Sequence, residues 1–95
     1  MDLNIFKDHA DHRVPASHIK EELHKLKETG HLDDRQYRTL EGGLEAITHT
    51  SDHSVTGRDL HDWLHNVGTL HGDHISAEKV HDRLAPALAG LIKRT

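Results

Sequence analysis

Apolar residues return along this chain at spacings of three and four, in blocks divided by glycine or by polar runs. That period is helical. From Pro15 to Thr29, Ile19, Leu23 and Leu26 form one stripe, and Gly30 supplies a left-handed stop. Glu21 and Lys25 stand four apart with the acid first, the order a helix favours. Asp33 can cap a second helix, with Gln36 closing a capping box and Leu32 and Tyr37 as its hydrophobic staple. The buried face continues through Tyr37, Leu40, Leu44 and Ile47. Gly42 and Gly43 interrupt it, each at up to about 1 kcal/mol relative to alanine. A close crossing by another helix gives that cost a reason.

Thr48 to Ser54 is polar and reads as a central linker. Thr56 caps a third helix with Asp59 at its third position, and Val55 and Leu60 staple it. Leu60, Trp63, Leu64 and Val67 share one face, while His61, Asp62, His65 and Asn66 look outward. Gly68 to Asp73 reads as a loop containing Leu70. Ser76 caps a fourth helix with Ile75 and Val80 as staple, and its stripe is Val80, Leu84, Leu88 and Leu91. Pro86 should kink or restart that helix. Residues 1–14 hold Leu3, Ile5 and Phe6 and suit a docking arm or a short helix. Pro15 pushes Val14 toward extended backbone and fits a first helical turn.

The stretch from Leu60 to Ser76 echoes an earlier one. Ile19, Leu23 and Leu26 match Leu60, Leu64 and Val67 at a constant offset, and His24 falls on His65. After a short insertion, His31-Leu32-Asp33 matches His74-Ile75-Ser76. The expected fold is therefore all-α: a small bundle of about four helices built as two pseudo-repeated helix–loop–helix units, 15–47 and 56–94, within a single domain 15–95.

The glycine, hydrophobe and cap of each unit resemble the second half of an EF-hand loop and its exiting helix. Calcium in such a loop needs oxygen ligands at alternating positions and a closing glutamate. Aligned on Gly30 and Leu32, those places hold Lys25, Lys27, Thr29 and Gln36; aligned on Ile75, they hold Gly68, Leu70, Gly72 and Lys79. The resemblance implies a paired helix–loop–helix shape and no calcium site.

At 95 residues and 34% hydrophobic the core must be lean. Yet the fourth helix carries a second apolar line, Ala85, Ala89 and Ile92, beside the first. Leu88, Leu91 and Ile92 are thus expected to offer a self-association or partner surface, a homodimer being one form of it. Trp63, the only tryptophan, is expected to pack in the core against the Gly42/Gly43 crossing or to anchor a partner. There is no cysteine, which excludes disulfides and thiolate chemistry. No apolar run reaches the ~18 residues of a membrane span, and no secretory signal opens the chain. The expectation is a cytoplasmic protein with no membrane contact.

The net charge of −4 is a poor match for nucleic-acid phosphates. Twelve histidines make that charge fragile, because their full protonation would carry it from −4 to +8. With a histidine pKa near 6.5, net zero is reached at about pH 6.8. The surface is therefore expected to be pH-sensitive, with His18/Glu22 and His24/Glu28 as helix-spaced pairs.

His61 and His65 stand one helical turn apart, and His71 and His74 follow in the next loop. Neutral imidazoles suit zinc, nickel and copper, and Asp62 or Asp73 could orient a ligand from behind. Spacing adds little to composition, since chance alone gives about 1.3 histidine pairs at each helical spacing. Two occur at each: His49/His53 and His61/His65, then His9/His12 and His71/His74.

The His-Asp dipeptides at His61 and His81 are similar to those of metal phosphohydrolases, which need several more ligands on a larger scaffold. No histidine has the lysine-glycine context of a phosphotransfer bundle, and no serine or threonine stands in a nucleophile motif. The expectation is a non-catalytic protein-binding module (an adaptor, inhibitor or assembly subunit) that needs no cofactor. The alternative is a transition-metal binder using His61, His65, His71 and His74.

Overall fold

The computed structural model describes residues 3–72 and 74–94. In chain order these form α1 (Asn4–Asp8), β1 (Arg13–Pro15), α2 (Ala16–Glu28), α3 (Asp34–Ile47), β2 (Ser54–Thr56), α4 (Gly57–His65), a 3-10 turn (Asn66–Thr69) and α5 (Ala77–Lys93). The chain is mainly helical, as the apolar period predicts: α1 is the short helix that residues 1–14 suit, and the two-stranded sheet is the difference.

Each long helix starts where its capping chemistry lies. Asp33 accepts the Gln36 N–H while the Gln36 side chain accepts the Asp33 N–H, closing the expected box. Thr56 and Asp59 make the same exchange at α4. Ser76 accepts from the Lys79 N–H at 3.3 Å. Gly30 adopts φ +80 after α2, the left-handed stop its position requires. Pro15 caps α2 from outside rather than sitting in its first turn. α5 runs unbroken through Pro86, so the expected restart does not occur. Pro86 is exposed and has no N–H to give to the turn before it.

The sheet joins segments far apart in sequence. β1 and β2 are antiparallel, with Val14 opposite Val55 and Arg13 opposite Thr56. Both valines are fully buried. The pairing thus falls on the entries to α2 and α4, not on the glycine loops at Gly30 and Gly72. The polar linker before β2 is also ordered. His49 bridges to Ser54, and His53 takes φ 53, a left-handed geometry that histidine tolerates better than most side chains.

α2 packs on α3 and α5, and α4 packs on the same two helices. The shared core holds Ile19, Leu23, Leu44, Leu60, Leu64 and Leu84, all at most 1% exposed. α1 lies on α4 and α5. Five residues cannot hold a helix in water. Phe6 fixes this one by full burial, a contribution of about 1.5–3 kcal/mol. The Gly57 N–H donates to the His12 carbonyl at 3.0 Å and the Arg58 N–H to the Ala10 carbonyl at 3.2 Å. The arm thereby satisfies donors that the first turn of α4 leaves open.

Candidate functional site

Leu88 and Ile92 are fully buried and Leu91 is 9% exposed. The two apolar lines of α5 therefore do not form the free surface expected of them. They fill this chain's own core, because α5 is contacted by α1, α2, α4 and the 3-10 turn and needs apolar residues on more than one side.

Trp63 sits where the glycine pair of α3 predicts. A Cβ on Gly43 would lie 2.9 Å from Trp63 Nε1 and 3.4 Å from Cδ1, so the missing side chain admits the indole edge. Gly42 meets nothing within 4 Å and takes no part in the crossing. Trp63 is 8% exposed. Its accessible part belongs to a groove of about 370 Å³ between α3 and the α4–3-10 segment. Leu40, Trp63, Val67 and Leu70 are the buried apolar members of its lining. Ala46 is exposed and Ile47 half-buried on the α3 side, and Asp62 is the one charged residue of the lining. Capping and stripe placed these helices in the sequence. Ala46 was missed because alanine at a helix surface carries no signal of its own.

The structure does not gather the four histidines of the metal reading. His61 lines a shallow cavity with Lys7, Ala10 and Arg58. His65 lines another with Leu3, Glu78 and His81. His74 faces a cleft with Gly30 and His31, and His71 is exposed. The rings of His61 and His65 stack with centroids 6.4 Å apart, and Asp62 Oδ1 lies 3.2 Å from His61 Nδ1. Asp73 lies outside the described residues. Among those residues, no group of three or more His, Asp or Glu is placed to hold a metal ion.

Other imidazoles meet acids at the surface. His24 Nε2 is 2.9 Å from Glu28, the expected helix-spaced pair, while Glu22 is 3.6 Å from Lys25. His49 Nε2 lies 3.1 Å from Asp59, the carboxylate that also closes the α4 capping box. Among the described residues no helix is long and apolar enough to cross a membrane.

No protein-family model matches the chain, no curated protein matches its sequence, and no solved structure matches its fold.

Proposed function

We propose that this chain is a small non-catalytic protein-binding module, serving as an adaptor, an inhibitor or an assembly subunit. Its docking site is the groove between α3 and α4. The observation that carries this reading is the groove itself, where an apolar floor containing the only tryptophan stands open beside exposed Ala46 and half-buried Ile47. Apolar grooves between helices accept the apolar face of an amphipathic helix, and tryptophan dominates such contacts. Asp62 at the rim favours a partner helix with a lysine or arginine beside its apolar anchors.

This reading treats the helices as two pseudo-repeated helix–loop–helix units of a four-helix bundle. It is supported by the meeting of equivalent segments: the entries to α2 and α4 pair as strands, and Gln36 joins the loop before α3 to the loop before α5.

The second reading is a zinc, nickel or copper ion on His61 and His65. The stacked rings and the Asp62 carboxylate behind His61 Nδ1 favour that pair, with His71 and His74 left out.

Selection of helical peptides from a displayed library, followed by amide-shift mapping on the full chain, tests the docking site. Binders should perturb the groove, and Ala46→Glu should abolish them without unfolding the protein, because Ala46 is exposed. Binders that map to another face and survive Ala46→Glu would remove the groove as the site. A second copy as occupant would show as a concentration-dependent dimer in sedimentation, lost in the same variant.

A further inference from the structure

The cleft beside His74 has a different chemistry from the groove and shares no lining residue with it. It encloses about 550 Å³ between Gly30–His31, after α2, and the segment from His74 into the second turn of α5. Small-molecule sites span roughly 300–1,000 Å³. Lys79 and Arg83 stand one turn apart on its α5 wall, and neither takes part in an ion pair among the described residues. Among the described residues Asp82 is the carboxylate of the lining, and it lies 3.9 Å from His81 Nδ1. The acids that open α3 are engaged elsewhere: Asp34 is 3.3 Å from Lys27, and Asp33 accepts the Gln36 N–H at 2.8 Å. In a chain of net charge −4, two cations, Lys79 and Arg83, thus stand against one carboxylate, Asp82, among the described residues of this lining.

Two imidazoles, His31 and His74, line this spot and give it a proton dependence. Thr29 Oγ1 lies 2.9 Å from the Lys25 carbonyl and 3.3 Å from that of Leu26, so its one hydrogen is directed there. The same oxygen is 2.7 Å from His31 Nδ1, which must then be the donor. Neutral His31 is therefore left with a lone pair on Nε2, which repels an anion. Protonation turns Nε2 into a charged donor.

We propose that this cleft binds a small molecule carrying a tetrahedral oxyanion, a phosphate or sulfate monoester. Lys79, Arg83 and the His31 imidazolium hold the anion, and Ile75 lies against the organic body. Binding tightens as the lining imidazoles, His31 and His74, take up protons.

The test follows amide shifts of the full chain as sulfate is added at constant ionic strength. Sulfate keeps its charge between about pH 6 and about pH 8, on either side of the free histidine value near 6.5. Saturable shifts confined to residues 30–31 and 74–83 are expected, with roughly tenfold tighter binding at the lower pH. Lys79→Glu with Arg83→Glu should weaken binding more than about tenfold at both pH values. Both side chains are exposed, and Lys79→Gln with Arg83→Gln gives the same test without reversed charge. His31→Gln with His74→Gln should remove the pH dependence, and His31→Gln alone should reduce it. Phenyl phosphate and phenyl sulfate then identify the ester by whichever binds tighter. Shifts that never saturate and spread over the surface, binding unchanged in the double variants, or binding of neither ester would overturn the proposal. Equal affinity at the two pH values, or a pH dependence that His31→Gln leaves whole, would overturn the part assigned to His31.

Discussion

Gln36 Nε2 donates to the Ile75 carbonyl at 2.6 Å, tying the first turn of α3 to the loop before α5. The other end of the same amide accepts the Asp33 N–H at 3.2 Å. Gln36 is fully buried, and Gly72 passes so close that a Cβ there would overlap its amide. One side chain therefore fixes both glycine loops. Gln36→Leu keeps the volume but removes the bond to Ile75 and half of the capping box. The expected loss is about 1–3 kcal/mol in urea unfolding. A loss below about 0.5 kcal/mol, the size of an ordinary surface substitution, would mean that the two loops are held by something else.

Two glycines should respond to alanine with opposite signs. A Cβ on Gly57 would run into the carbonyl oxygens of His9 and Phe6, the latter at 2.8 Å. Those are backbone atoms, and they can yield only if α1 lifts from α4. Gly57→Ala should cost about 1–3 kcal/mol or more. Gly42 has open space around it within a helix, so Gly42→Ala should gain about 0.5–1 kcal/mol. In a domain of this size each kcal/mol moves the melting temperature by roughly 4–8 °C. Thermal melts that shift the same way for both variants would contradict the packing of α1.

Asp52 sets an acid-dependent contribution to the fold. Its Oδ1 accepts the Ser54 hydroxyl at 2.7 Å and the Ser54 N–H at 3.2 Å, and its Oδ2 meets Arg13 at 2.9 Å. The Ser54 hydroxyl, joined by the Arg13 charge, outweighs the loss of hydration and holds this carboxyl below its ordinary 3.8. A depressed folded-state value means stability present above pH 3.8 and lost as pH falls through the folded value. Wild type and Asp52→Asn should therefore differ near neutrality and converge in strong acid. Unfolding curves at the two extremes measure it; a gap that stays constant with pH would show that proton linkage at Asp52 is absent.

Local chemistry explains which parts of this fold were legible in the sequence. The caps at Asp33, Thr56 and Ser76 satisfy donors within three residues, so their partners are visible in the chain itself. The Gly43–Trp63 crossing was legible because a glycine in a helix stripe and a lone tryptophan each call for a close neighbour. The Val14–Val55 pairing was not, because a three-residue strand has too few alternations to stand out. The restart that Pro86 allowed does not occur for a related reason. The proline ring disrupts a helix in isolation, whereas in α5 buried Leu84, Ala85, Leu88 and Ala89 on either side hold the helix through it. The surplus apolar line on α5 was real, but a stripe does not say whether the chain or a partner covers it. The groove and the cleft arise from segments far apart in sequence, so no local pattern announces them.

We propose that this chain works by contact with another protein through the Trp63 groove rather than by metal held on histidine. The direct test titrates the metal-stripped protein with zinc, nickel and copper against a competing chelator while following Trp63 fluorescence. Loose, non-stoichiometric uptake, indifferent to His61→Ala with His65→Ala, is the predicted result. Saturation at a whole-number stoichiometry, abolished by that pair of substitutions, would contradict it.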